Sequence, residues 1–149
     1  MIREAEREDV PGLLELYRHL NSDLPCAPEL AGQSLAAIRA IPGSAVLVAE
    51  RAGGMVGSVT LIVIPNLSRG AAPYALIENV VTHTDHRGHG IGKAMLHEAA
   101  RRAWARNCYK VMLMTGSTRP ETLGFYAAAG FEQSKTGFQM RRNLAQNTS

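Results

Sequence analysis

The apolar positions of this chain change their spacing several times, and each change marks a new element. Apolar residues three and four positions apart, the spacing of one helix face, predict helices at residues 9–20, 34–41 and 121–130 and from a glycine-rich turn to about residue 106. Alternating or continuously apolar runs predict strands at residues 2–6, 44–51, 55–65, 74–83, 109–115 and 138–144. The first half is mainly strands, and strand–helix–strand–helix–strand follows. We therefore expect an α/β (α+β) domain with a mixed, mostly antiparallel sheet and helices on both faces.

Length and composition indicate one globular domain. A chain of 149 residues is long enough to bury an ordinary core. Its content of 46% hydrophobic and 19% charged residues is typical of soluble proteins. The predicted elements place this single domain at residues 1–144 and a frayed tail at residues 145–149.

Several features of the sequence bear on its location. No apolar run approaches the roughly 20 residues of a membrane helix. The chain is charged from position 3 onward, unlike a secretory signal. Cys26 and Cys108 lie far apart and offer neither a disulfide framework nor a metal-type spacing. We therefore expect a cytoplasmic protein with no membrane partner.

The net charge alone does not identify a partner. A formal charge of +3 and a pI of about 9.1 fit an anionic small molecule as well as a nucleic acid. Nucleic-acid binding needs a basic patch with aromatic residues for stacking. Aromatic residues make up only 5% of the chain and the cations are scattered, so we expect no nucleic-acid partner.

The sequence RGHGIGK, residues 87–93, places three glycines where the third predicted helix begins. The first N–H groups of a helix have no internal partner, and this end of the helix dipole is positive. Glycines allow these N–H groups to converge on an anion such as a pyrophosphate. Arg87 and Lys93 add positive charge where acidic residues are usual. The turn is therefore a candidate phosphate site, and the alternative is a glycine turn without a ligand.

Two widespread phosphate-binding loops do not fit this turn. The Walker loop, G-x-x-x-x-G-K-[ST], requires a glycine and a hydroxyl where this chain has Arg87 and Ala94. The dinucleotide signature G-x-G-x-x-G has a different glycine spacing, and the next strand, residues 109–115, lacks the acidic residue expected for a ribose.

A third signature fits. The run from Arg87 to Gly92 resembles the [Arg/Gln]-x-x-Gly-x-[Gly/Ala] signature of the GNAT superfamily of N-acetyltransferases. IENVVTHTDHRG is similar to that superfamily's fourth strand and turn, and GFYAAAGFE is similar to the region carrying its F-Y-x-x-x-G-F signature. The likeness covers about residues 75–142. Within the superfamily, IENVV and NCYKVMLMTG resemble the glucosamine-6-phosphate N-acetyltransferases.

The resemblance implies that acetyl-CoA is the co-substrate. Its pantetheine arm would pair with the strand at Val80, Val81 and Thr82, although both valines could simply be core residues. Arg119 stands where the superfamily often has asparagine, and would reach a cofactor phosphate or an anionic substrate instead. The residues expected around the pyrophosphate are Arg87, Gly88, His89, Gly90, Ile91, Gly92 and Lys93.

Two residues are candidates for catalysis. The resemblance implies that Tyr126 protonates the leaving sulfur, and the alternative is a tyrosine that only packs against the cofactor. Glu78 is an acid within an apolar strand, so it is either the base that takes the amine proton or a solvent-facing residue. Strand alternation predicts that Asn79 points to the opposite face.

The three closely spaced histidines invite a metal-site interpretation. His83, His86 and His89 fall in a turn without an accompanying cluster of carboxylates or thiols, so we expect no metal. His89 is instead expected to direct a backbone N–H toward a phosphate.

We therefore expect an acetyl-CoA-dependent N-acetyltransferase that acts on the primary amine of a small molecule. The alternative is a non-catalytic acyl-CoA-binding sensor or interaction domain, which would need neither Tyr126 nor a base. The resemblance also implies a homodimer, in which the strand predicted at residues 138–144 would pack against the partner. The sequence leaves the acceptor amine open.

Overall fold

The computed structural model describes residues 1–20 and 24–142, and its centre is a five-stranded sheet. The strands follow one another in space as they do in sequence; the first three neighbouring pairs are antiparallel, and the last strand runs parallel to β4. They are β1 (Ile2–Glu4), β2 (Ala45–Arg51), β3 (Gly54–Ile64), β4 (Tyr74–Thr82) and β5 (Val111–Leu113). The expected mixed, mostly antiparallel sheet is confirmed.

In the part of the chain that the structure describes, four α-helices accompany the sheet: α1 (Val10–Leu16), α2 (Pro28–Ala40), α3 (Ile91–Ala105) and α4 (Pro120–Ala128). Three of them carry a proline in the first turn, where a missing N–H costs no hydrogen bond. This explains a wrong boundary: the predicted start of the second helix at residue 34 is six residues late. Pro28 begins that helix instead of belonging to the loop before it.

The helices cover both faces of the sheet, as the sequence predicts. In β2, Val46 and Val48 face the cluster formed with α1 and α2. Leu47 and Ala49, which alternate with them, face the cluster formed with α3. A fully buried leucine such as Leu47 stabilises the fold by roughly 1.5–3 kcal/mol relative to exposure. Because both faces are buried, β2 is apolar almost throughout.

An ion-pair network ties α3 to the first strand. Glu98 accepts hydrogen bonds from Arg101 at 2.6 and 2.8 Å and from Arg102 at 2.8 Å. Arg102 also reaches Glu4 of β1 at 3.1 Å. These arginines, Arg101 foremost, lower the pKa of Glu98 to about 2.

The C-terminal part departs from the prediction. Only residues 111–113 of the strand predicted at 109–115 are strand, and residues 132–142 contain none. The strand prediction for residues 138–142 is wrong, because the sheet of the described residues ends at β5. Phe138 and Met140 are 91% and 98% exposed. Residues 143 and 144 and the expected tail at 145–149 lie outside the described residues.

None of the helices in residues 1–20 and 24–142 combines the length and the apolar content that a membrane span requires.

Candidate active site

Strands β4 and β5 separate after a short common ladder. They pair only from Ala75 with Val111 to Ile77 with Leu113, and the chain after Leu113 leaves the sheet. From Glu78 to Thr82, the described chain pairs with β4 on the β3 side alone. An edge strand of this kind presents free N–H and C=O groups to which an extended ligand can add as a further strand.

A β-bulge lies at the point where this free edge begins. In the ladder between β3 and β4, Thr60 pairs with Glu78 but Ser58 pairs with Val81, so β4 carries one additional residue. Asn79 has a φ of 53°, a left-handed conformation that asparagine adopts more readily than most residues. Bulges of this type bend a strand and redirect its side chains.

The bulge changes which side chains face α3. Before it, Ala75 and Ile77 belong to the cluster packed on α3; after it, Val80 does. Glu78 lies across from Thr60 on the other face of the sheet, toward α1. Strict alternation is interrupted here, and both Glu78 and Asn79 are exposed. The alternation argument that placed Asn79 opposite Glu78 therefore does not apply at this site.

The glycine turn follows the free edge directly. After β4, a 3₁₀ turn (Thr84–His86) leads to Arg87, whose Nε donates to the Thr82 carbonyl at 3.3 Å. Gly88 and Gly90 have φ values of 81° and 78°, in the region that favours glycine. A Cβ on either glycine would meet no heavy atom within 4 Å, so the turn is open at both positions. The first turn of α3 contains no acidic residue, which leaves its positive end uncompensated.

Gly92 has a different environment from the other two glycines. It is buried in the first turn of α3, and a Cβ there would lie 2.9 Å from the Phe125 ring and 3.5 Å from Thr82 Oγ1. Its missing side chain therefore allows α3 to approach Phe125 of α4. The three glycines of the turn thus serve two purposes: an open turn at Gly88 and Gly90, and close helix packing at Gly92.

Tyr126 lies on α4 next to the same cluster as Val80. Its ring centroid is 5.0 Å from that of Phe125 and 6.4 Å from that of Phe131. Burial raises the pKa of Tyr126, so the phenol is protonated at neutral pH and can donate. Within the described residues its hydroxyl has no hydrogen-bond partner, which leaves it available to a ligand.

A free β4 edge that leads into an open, electropositive glycine turn fits a long ligand with an amide-rich arm and a phosphate group. The family comparison agrees with this geometry. The model of the acetyltransferase (GNAT) family matches residues 13–131, which contain the sheet from β2 to β5 and the helices from α2 to α4. The chain belongs to the GNAT family of acetyltransferases. It is an enzyme of acetyl-CoA-dependent N-acetyl transfer.

Individual relatives of this GNAT chain are similar over nearly its whole length. It is 33% identical over 148 residues to the glucosamine 6-phosphate N-acetyltransferase of Trypanosoma brucei brucei, covering 96% of this chain and 95% of the relative. It is 31% identical over 134 residues to glucosamine 6-phosphate N-acetyltransferase 1 of Oryza sativa subsp. japonica, covering 87% and 79%. The solved structure "Putative acetyltransferase from Agrobacterium tumefaciens str. C58" superposes with a TM-score of 0.89 at 48% identity, covering 95% of this chain and 99% of the other.

The GNAT fold brings most of the predicted site residues to one end of β4, on two faces. Val80, Thr82, Gly92 and Tyr126 share the α3 side. Glu78 is exposed on the α1 side. The two candidate catalytic side chains therefore lie on opposite faces of the sheet, with the free edge of β4 between them. Val81 is buried, with 4% exposure, as expected of a core residue.

The remaining predicted residues surround this end of the sheet. Lys93 is exposed in the first turn of α3. His89 and Ile91 border a shallow depression beside Glu50 at the end of β2. Arg119 immediately precedes α4 and is exposed, and its guanidinium lies 2.9 Å from Glu121. Across the described ranges, no group of three or more potential ligand side chains could hold a metal ion.

One contact at this end was missed by the sequence analysis. Nδ1 of His19, at the end of the 3₁₀ turn Tyr17–His19 that follows α1, lies 2.6 Å from Oγ1 of Thr84. The two residues are 65 positions apart, so no local pattern connects them.

Proposed function

We propose that this GNAT enzyme acetylates the amine of glucosamine 6-phosphate. The 33% identity over almost the full length of the Trypanosoma relative carries the proposal, because that relative is named for this activity. The resemblance of residues 77–81 and 107–116 to the same class of enzymes supports it. In the reaction a C–N bond to the amine forms, the C–S bond breaks, the amine loses a proton and the sulfur gains one.

The free edge of β4 and the glycine turn would hold acetyl-CoA, which supplies the thioester. Backbone groups of Val80, Val81 and Thr82 would pair with the pantetheine arm, and a β4 N–H would polarise the thioester carbonyl. At the turn between Arg87 and Lys93, the backbone N–H groups would bind the pyrophosphate. The open space at Gly88 and Gly90 supports this placement, because a phosphate needs close access to the backbone.

We assign Tyr126 as the acid that protonates the departing sulfur. Its position beside Val80, its raised pKa and its unpaired hydroxyl in the described structure support this assignment. A phenol with a raised pKa remains protonated until it transfers its proton to the departing sulfur. Glu78, on the other face and exposed to solvent, would receive the amine proton directly or through water. The two proton transfers would then take place on opposite sides of the β4 edge.

Arg119 would bind an anionic group, either of acetyl-CoA or of the sugar phosphate. This requires it to leave Glu121, and exposed ion pairs are worth only about 0–1 kcal/mol, so the cost is small.

We also propose that the enzyme is a homodimer in which the segment after α4 packs on a second copy. Phe138 and Met140 are almost fully exposed on this segment, and side chains as apolar as these are usually covered. A partner copy would cover both side chains. Light scattering should give twice the monomer mass, and Phe138→Asp should give the monomer mass. A monomeric wild-type chain would refute the dimer.

The cytoplasm is the proposed location, because Cys26 and Cys108 are both free thiols.

Thiol release from acetyl-CoA tests the activity. Glucosamine 6-phosphate, glucosamine and an unrelated primary amine should be compared at equal concentration. We expect turnover with the sugar phosphate to exceed turnover with glucosamine, because only the former carries a phosphate that Arg119 could bind. Turnover with a different amine alone would refute the acceptor but not the reaction. CoA binding without turnover on any amine would instead favour the sensor alternative.

A further inference from the structure

Three histidine rings from two distant segments meet beside the glycine turn. The ring centroid of His19 is 4.3 Å from that of His83, which is 5.6 Å from that of His86. His19 Nδ1 also contacts the Thr84 hydroxyl at 2.6 Å. The 3₁₀ turn Thr84–His86 comes directly before Arg87 and the glycines. The 3₁₀ turn that follows α1 therefore contacts the segment that leads into the glycine turn.

The hydrogen bonds in this contact are specific to individual ring atoms. The Asp85 backbone N–H donates to His83 Nδ1 at 3.1 Å, so in the neutral ring the proton is on Nε2. On His19, the nitrogen that meets Thr84 is Nδ1. The Asp85 carboxylate lies 4.0 Å from His83 Nδ1, and the charged Arg87 side chain is bonded to the Thr82 carbonyl.

The glycine turn requires a contact with another part of the fold to hold it in place. Gly88 and Gly90 are exposed, and glycine loses more conformational freedom on ordering than any other residue. Among the described residues, the side-chain hydrogen bonds next to the turn, apart from that of His19, are those of Arg87 and His83 within the same local segment. The His83 backbone N–H also donates to the Val56 carbonyl of β3 at 2.8 Å, which holds only the start of this segment. His19 comes from a different part of the fold, and so it fixes this segment relative to the body of the domain.

We propose that His19 is a positioning residue for acetyl-CoA binding. Through Thr84 and His83 it holds the 3₁₀ turn Thr84–His86 in place, and thereby places Arg87 and the glycine N–H groups before the cofactor arrives. Ordering the turn in advance reduces the cost of ordering it on binding. This inference rests on the proposed binding of acetyl-CoA at the turn.

Calorimetric titration of the full chain with CoA tests the proposal without requiring turnover. His19→Ala removes one hydrogen bond and one ring contact, and should raise the Kd for CoA by about 3- to 10-fold. His19→Asn and His19→Gln form a matched pair, because an asparagine amide reaches the position of Nδ1 whereas a glutamine amide reaches that of Nε2. Asn should restore the Kd to within about twofold of wild type, and Gln should not.

Variants at Thr84 provide an independent test of the proposal, which is sufficient if His19→Ala does not fold. Thr84→Ser retains the hydroxyl and should bind CoA like wild type, whereas Thr84→Val should resemble His19→Ala. Combining His19→Ala with Thr84→Val should cause no further loss, because both remove the same bond. A general loss of stability would lower the melting temperature but would not separate Asn from Gln.

Two results would overturn the inference. One is a wild-type Kd for CoA in both His19→Ala and Thr84→Val, and the other is equal recovery by Asn and Gln. If the wild-type chain itself bound no CoA, the proposed function would fail together with the inference. Wild-type binding with unaffected variants would overturn the inference alone.

Discussion

Gly90→Ala and Gly92→Ala are a matched pair that separates phosphate binding from helix packing. Both add one methyl group within the same turn. At Gly90 the methyl group enters open space, but the φ of 78° costs an alanine roughly 1–2 kcal/mol. At Gly92 the backbone is helical and alanine gains about 1 kcal/mol in propensity. Its methyl group, however, would lie 2.9 Å from the Phe125 ring, and overpacking typically costs about 1–3 kcal/mol.

The two variants should therefore lose similar stability but differ in CoA affinity. A net loss of up to about 2 kcal/mol lowers the melting temperature of a domain of this size by at most roughly 8 °C. Losing one charge-assisted bond from the backbone to a phosphate costs about 1.5–3 kcal/mol, so Gly90→Ala should weaken CoA binding roughly 10- to 150-fold. Gly92→Ala should weaken it less than about threefold, because its methyl group points away from the open turn.

Thermal denaturation without ligand measures the stability of both variants, and calorimetric titration measures their CoA affinity. Gly88→Ala is a further control: its φ is also positive and its space is also open, so it should behave like Gly90→Ala. Equal loss of CoA affinity in Gly90→Ala and Gly92→Ala would refute the assignment of phosphate binding to Gly90 and of helix packing to Gly92. Wild-type affinity in Gly90→Ala would refute the phosphate assignment itself.

Three other predictions follow from the site and the fold. Tyr126→Phe should lower kcat by roughly 10²-fold or more at unchanged CoA affinity. Because burial raises the pKa of Tyr126, the alkaline limb of the wild-type pH–rate profile should lie above that of an ordinary tyrosine. An unchanged kcat in Tyr126→Phe would leave Tyr126 with a packing role only. Glu78→Gln should lower kcat and shift the acidic limb of the pH–rate profile, whereas an identical profile would make Glu78 a spectator. The pKa of Glu98 falls from 4.5 to about 2, so its stabilisation is present above pH 4.5 and is lost as the pH falls toward 2. The melting temperature of Glu98→Gln should therefore change less than that of wild type over this pH range. If the melting temperatures of the two proteins fell equally with pH, the ion pairs of Glu98 would not be the source of this stabilisation.

The elements predicted best from the sequence are those buried in the core. Strands predicted at residues 44–51 and 55–65 are observed as Ala45–Arg51 and Gly54–Ile64. The helix predicted to end near residue 106 ends at Ala105. Their apolar patterns reflect contacts with the sheet and helices that cover them, so the pattern and the burial agree. The glycine turn was also predictable, because its charge and its glycines are adjacent in sequence.

The features that were not predictable depend on contacts between distant segments. The bulge at Asn79 arises from the register of β4 against β3, which the sequence of β4 alone does not contain. Packing of Gly92 on Phe125 and the bond from His19 to Thr84 each join separate elements. Residues 138–142 have the alternation of a strand but lie outside the sheet of the described residues, and a strand needs a neighbouring strand to satisfy its backbone hydrogen bonds.

The bulge in β4 also affects how the protein behaves in concentrated solution. An exposed edge strand with consecutive valines, such as Val80 and Val81, is a template for pairing with strands of other molecules. The additional residue at Asn79 breaks the regular hydrogen-bond spacing of this edge, and bulges of this kind are a known protection against aggregation. Deleting Asn79 would restore an even ladder along the edge. The resulting protein should self-associate through β4, and a ligand occupying the edge should suppress that association.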